Sequence, residues 1–195
     1  MKYSSLLLLL LFMVVNSSAQ QIKPITKLET VYIDYNGREV KARTLLVQSR
    51  IPMSIKDAWR NVKSPALLEF VAKGMINFKS VGEILPKQWQ VGRTYAVRMR
   101  ILGFIPFGGI HYLFIEKIEE DNFKISTKEW DKGAKVWNHQ ITMRDMGDGS
   151  TYYEDSVTIY GGRLTMVISS FAKRFYVHRQ RRWQLVAANN LRFGE

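Results

Sequence analysis

One stretch constrains the fold more than any other. From Gly162 to Asn190 the sequence carries a continuous helical pattern, with no Pro or Gly between Arg163 and Arg192. At ~3.6 residues per turn this is about eight turns. On a helical wheel Leu164, Ile168, Phe171, Phe175, Arg182 and Val186 fall along one line, with Val167, His178, Leu185 and Asn189 beside it. Lys173, Gln180, Gln184 and Ala187 fall opposite. The stripe is aromatic and aliphatic at first and then carries His178 and Arg182, one turn apart, at its centre. A helix of this length is stabilised by lying on apolar surface rather than by propensity. The segments before it read as strands, so the expected partner is the face of a curved sheet.

Those segments are legible in order. Thr30 to Tyr35 alternates and then meets Asn36-Gly37, the strongest short hairpin signal, with a return strand through Leu45, Val47 and Ile51. Ser54, with Asp57 at the capping-box position, opens one short helix. Ser64-Pro65 opens a second, with Leu67, Leu68 and Val71 buried and Gly74 at its end. From Ile76 the period becomes two, giving strands near 76–83, 93–102, 109–119, 122–129, 134–144 and 151–160. Arg98 and Arg100 alternate with Tyr95, Val97, Met99 and Ile101, as in a sheet wet on one side. The layout is α+β: a curved antiparallel β-sheet wrapped around a long C-terminal α-helix, with two short helices after the opening strands.

The front of the chain reads as a secretory leader. Lys2 gives a positive start, Leu6 to Val15 an apolar run, and Ser17-Ser18-Ala19 a small-residue cleavage site. The apolar run is about half the ~20 residues of a spanning helix. Residues 1–19 are therefore expected to be a signal peptide and 20–195 a single domain, secreted or periplasmic. The chain has no Cys, so disulfides and thiolate chemistry are excluded. Its net charge of +12 falls to +11 with the leader and favours anionic partners. An anionic membrane surface fits that charge; nucleic acid does not fit export, and the positives are scattered rather than massed.

Trp137-Asn138-His139 in a strand, Gly147-Asp148-Gly149-Ser150-Thr151 in a turn, and Glu154-Asp155-Ser156-Val157 in the next strand follow one another. Gly161-Gly162-Arg163-Leu164 and Phe175-Tyr176-Val177-His178-Arg179 complete the series. In these features the chain resembles the SRPBCC (START-like, helix-grip) superfamily, in its polyketide-cyclase/lipid-binding-like branch, over roughly Arg43 to Ala187. The resemblance implies the helix-grip fold and a cavity between sheet and helix. Members bind lipids, sterols, quinones, polyketides or plant metabolites, and a minority are enzymes.

Strand alternation places His139 and Asp155 on the face of Trp137, Ile141 and Val157, under the final helix, with Phe171, Phe175, His178 and Arg182 facing them from above. These seven, Trp137, His139, Asp155, Phe171, Phe175, His178 and Arg182, are the expected ligand-binding residues. Arg182 is the expected fork donor to a ligand acid or carbonyl. The alternatives are structural pairing of Arg182 with Asp155 or Glu154, or acid–base work by His139 or His178 with Asp155 as orienter. His111, His139 and His178 share no element at ligand spacing, so no metal site is expected, and no cofactor motif or nucleophile elbow is present. The reading is a protein that binds a hydrophobic or amphipathic small molecule without a cofactor. A cyclase or hydratase using the same pocket, and a membrane-surface protein using the apolar 102–108 loop, are the competing readings.

Overall fold

The Asn36-Gly37 turn closes as its sequence demands. Both residues have positive φ, 56° and 74°, and Tyr35 and Arg38 exchange backbone hydrogen bonds across it. It joins β1 (Ile25–Asp34) to β2 (Glu39–Ile51). The protein is described by a computed structural model over residues 23–194. The leader expected at 1–19 lies outside the described residues.

After β2, Ser54 Oγ accepts the Asp57 N–H and caps α1 (Ile55–Val62). Ser64 Oγ accepts the Ala66 N–H, and Pro65 occupies the first turn of α2 (Pro65–Ala72). The chain then runs antiparallel through β3 (Ile76–Ser80), β4 (Thr94–Ile101), β5 (Ile105–Glu119), β6 (Lys124–Trp130), β7 (Val136–Asp145) and β8 (Thr151–Tyr160). A 3-10 turn at Gly162–Leu164 leads into α3 (Thr165–Ala188). The eight strands of the described residues form one sheet in the order β1-β2-β8-β7-β6-β5-β4-β3, so β8 returns to pair with β2. Irregularities at Arg98/Met99 and Ile115/Lys117 interrupt the ladders on either side of β5. Bulges of this kind bend a sheet, here where it wraps round the helix.

Inward rows follow the period-two pattern. Thr151, Tyr153, Asp155, Val157 and Ile159 of β8 are buried, as are Trp137, His139, Ile141 and Met143 of β7. α3 lies across β2 and β8 with α2 on its flank. Two apolar clusters result. One gathers Leu45, Val97, Trp137, Phe175 and Tyr176; the other gathers Trp59, Leu67, Tyr153 and Trp183 at the C-terminal end of α3. Between them sits a buried polar band.

The face that α3 presents is rotated from the expected stripe. Ile168, Ser169, Ala172, Phe175, Tyr176, Arg179, Gln180, Trp183 and Val186 are buried, while Leu164, Val167 and Leu185 are 54%, 67% and 45% exposed. Ser169 and Ala172, at 0% exposure, let the helix approach the sheet closely. Gln180, expected on the outer side, is fully buried. No helix among the described residues is long and apolar enough to cross a membrane.

Candidate functional site

A cavity of about 80 Å³ lies between the sheet and α3. Its apolar wall comes from α2 (Leu67, Leu68), β3 and β4 (Ile76, Phe78, Met99) and α3 (Phe171, Phe175). Its polar wall comes from β5 to β7 and the middle of α3: His111, Glu129, Asp131, His139 and Arg179. Period two explains that wall. His111 shares the inner row of Leu113 and Ile115, and Glu129 that of Ile125 and Thr127.

His111 is clamped from both sides. Nδ1 donates to Asp131 Oδ2 at 2.9 Å and Nε2 to Glu129 Oε2 at 3.0 Å. A ring whose two nitrogens both face carboxylates holds both protons. Burial alone would lower the His111 pKa, but the hydrogen bonds to Asp131 and Glu129 outweigh it and raise it to about 9. Burial would likewise raise Glu129 and Asp131, yet His111 holds both below the usual carboxylate range. Asp131 also accepts the N–H groups of Gly133 and Ala134 at 2.7 Å each, which ties the clamp to the β6–β7 turn. Gly108 makes room for it, since a Cβ there would lie 2.6 Å from Asp131 Oδ2.

His139 leads the second group. Its Nε2 donates to Asp155 Oδ1 at 2.8 Å, and its Nδ1 lies 3.9 Å from Glu129 Oε1. Asp155 is fully buried and further accepts from Tyr153 Oη at 3.0 Å and Gln180 Nε2 at 3.0 Å. Burial would push Asp155 up; the charge of Arg179 and the His139 hydrogen bond keep it low. Trp137 donates its indole N–H to Tyr176 Oη at 3.1 Å. The polar wall is thus a chain, Asp131–His111–Glu129 and His139–Asp155–Tyr153/Gln180, with Arg179 beside its far end.

The structure brings Trp137, His139, Phe171 and Phe175 together around the cavity, with Asp155 directly behind His139. His178 and Arg182 do not join them. His178 Nε2 meets the Lys73 carbonyl at 2.9 Å beside Gly74. Arg182 Nε donates to the Phe70 carbonyl at 2.8 Å, with its guanidinium over the Phe70 ring. Both fasten α3 to α2, because the buried face of α3 is centred one residue row away. Arg179 takes the inner place that the wheel gave to Arg182. Glu154, the other carboxylate considered for Arg182, accepts instead from Gln48 and Tyr152 on the outer side of the sheet.

The cavity under a long helix, walled by an eight-stranded antiparallel sheet, defines a helix-grip protein. Solved structures share the arrangement. Protein Ms6760 from Mycobacterium smegmatis matches at TM-score 0.58 and 14% identity, over 73% of this chain and 89% of that one. Norcoclaurine synthase from Thalictrum flavum, in complex with dopamine and hydroxybenzaldehyde, matches at 0.52 and 12%, over 94% and 96%. The Zhui aromatase/cyclase from Streptomyces sp. R1128 matches at 0.58 and 8%, over 77% and 96%. At these identities the likeness is one of fold, the helix-grip fold. No family model matches the sequence, and no curated protein is similar enough to match.

Proposed function

We propose that this chain binds one hydrophobic or amphipathic small molecule, of a lipid, quinone or polyketide-like kind, between the sheet and α3. The observation that carries this reading is the cavity, apolar on one wall and lined by convergent polar groups on the other. Its volume of about 80 Å³ is below the roughly 150 Å³ of an engineered cavity known to hold benzene. A ligand larger than that extends through the mouth or displaces a wall. The half-buried Phe107 and Phe171, whose ring centroids are 5.3 Å apart, both line the cavity. Native mass spectrometry before and after organic extraction tests the reading. A ligand mass lost on extraction and regained from the extract is expected; failure to retain any apolar compound sinks it.

We also propose that the protein is exported, on the strength of the leader at 1–19. An anionic membrane surface is a further proposed partner. Supporting it are Leu102, Phe104 and Ile105, exposed at the β4–β5 hairpin beside exposed Arg98 and Arg100. Co-sedimentation with vesicles containing phosphatidylglycerol, lost in Phe104→Ser, is the expected result.

One contact favours a second reading, an enzyme of cyclase or hydratase type. His139 lines the cavity and is oriented by Asp155 at 2.8 Å, an arrangement suited to general acid–base catalysis. The named neighbours include a synthase and an aromatase/cyclase. Cyclisation of a poly-β-ketone thioester analogue, abolished by His139→Gln while binding persists, is the corresponding test. Absence of turnover in the unsubstituted protein leaves the binding reading alone.

A further inference from the structure

Arg179 is 5% exposed and lines the cavity. A guanidinium offers five N–H donors. This one makes a single long hydrogen bond, 3.4 Å from Nη2 to Tyr153 Oη, and its buried Nε has no partner. Its nearest carboxylate oxygen, Asp155 Oδ1, stands 3.9 Å away. That distance has a cause. His139 and Tyr153 already occupy Oδ1, and Gln180 occupies Oδ2, so Asp155 takes its hydrogen bonds from them and only charge from Arg179. The faces of Phe175 and Tyr176, 5.9 and 5.0 Å from Cζ, supply apolar surroundings and cation–π attraction but no acceptor.

The carboxylate acceptors elsewhere on the polar wall are engaged, and Gln180, whose buried Oε1 has no partner, does not line the cavity. Glu129 Oε1 takes the Thr127 hydroxyl at 2.6 Å and Oε2 takes His111. Asp131 takes His111 and two backbone N–H groups. What the cavity leaves unspent is donor capacity, concentrated on Arg179, and the matching ligand group is an oxygen acceptor.

Its charge follows from the neighbours. Asp131, Glu129 and Asp155 put three carboxylates in one buried band, and Arg179, His111 and His139 already face them. A ligand carboxylate on Arg179 would add a further anion beside Asp155 and bury its own charge as well. A carbonyl oxygen accepts two hydrogen bonds with neither penalty. We infer that Arg179 is a recognition residue for an uncharged carbonyl oxygen, that of a ketone, quinone or ester, at the polar end of an otherwise apolar ligand. This rests on the cavity being the ligand site, and it reverses the acid preference expected of an arginine.

Three naphthalenes of matched shape test it: 2-acetylnaphthalene, 2-ethylnaphthalene and 2-naphthoate. Each competes with the neutral fluorophore N-phenyl-1-naphthylamine on the full chain. The ketone is expected to bind about tenfold or more tightly than the ethyl compound, the scale of one hydrogen bond to a charged donor. The carboxylate is expected to bind more weakly than either. Arg179→Met should erase the ketone advantage and leave 2-ethylnaphthalene bound. If that variant does not fold, Arg179→Lys, which keeps the charge without the fork, should reduce the advantage. Equal binding of ketone and ethyl compound, a ketone advantage that survives either variant, or tightest binding of the carboxylate each overturns the assignment. Failure of the fluorophore and all three compounds to bind overturns the cavity reading instead, and this one with it.

Discussion

Replacement of His111 by Gln probes the polar wall through pH. The imidazolium is held by Asp131 and Glu129 at 2.9 and 3.0 Å. Its ordinary value of 6.5 rises to about 9 in the fold. Below pH 6.5 folded and unfolded chains both carry the proton and the contribution is complete. Between 6.5 and 9 the unfolded chain has released it while the folded chain retains it, so stability falls as pH rises, by about 1.4 kcal/mol per pH unit. Above 9 the contribution is gone. The whole gap is worth on the order of 3 kcal/mol, counted once on the histidine and not again on its two carboxylates. Urea unfolding from pH 6 to 10 reads it directly. The unsubstituted protein should lose about 3 kcal/mol more than His111→Gln across that window. Near pH 6 the variant should start about 3–5 kcal/mol lower, because two buried carboxylates have lost their cation. Parallel curves, with a constant gap from pH 6 to 10, refute the reasoning. So does a His111 ring titration by NMR with its midpoint near 6.5.

Gly108→Ala places a Cβ 2.6 Å from Asp131 Oδ2 at a φ of +70°; a loss of about 1–3 kcal/mol in a melt and a lower His111 midpoint are expected. Phe175→Ala should cost about 3 kcal/mol, the low end for a buried ring, because one side of Phe175 already faces the cavity; a loss of 5 kcal/mol would mean a packed site. Arg182→Met should cost about 1 kcal/mol, the Phe70 hydrogen bond, with naphthalene binding unchanged. N-terminal sequencing of exported protein should begin near Gln20, and an intact Met1 in the membrane fraction would contradict export.

The elements were legible because each is punctuated locally. Asn36-Gly37, Ser54 with Asp57, and Ser64-Pro65 each fix a turn or cap through a side chain or φ preference within a few residues. The inner rows of β7 and β8 were legible because one slip in register would turn Ile141, Met143, Val157 and Ile159 to water. The apolar 102–108 segment was legible only as a loop. Positive φ at Leu102 and Gly103 makes it a tight hairpin tip, Phe104 faces out, and Phe107 turns in to Phe171. Nothing in the composition of that run separates the two phenylalanines.

The polar wall was less legible, for a reason that lies in the helix. A wheel weighted by apolarity centres on the bulkiest stripe, Leu164, Phe171, Phe175 and Val186, and so carries Arg182 inward. The sheet selects a different face, since close approach needs the small Ser169 and Ala172 and the buried Asp155 needs polar company. Asp155 sits between Tyr153 and Val157 in an inward row, and a buried carboxylate requires donors and a nearby cation. Arg179 and Arg182 were both within reach in sequence, three residues apart. Arg179 lies one turn on from Phe175 and Tyr176, the second of which meets Trp137 and His139, and that neighbourhood rather than the stripe decides which arginine is buried. The same alternation that revealed His139 also applied to Glu129 and His111, one and two strands further out. They went unused because a histidine between two carboxylates from a neighbouring strand and its turn has no spacing signature in the chain. Only the β5–β6 register, with Tyr112 opposite Trp130, brings His111 level with Glu129 and Asp131.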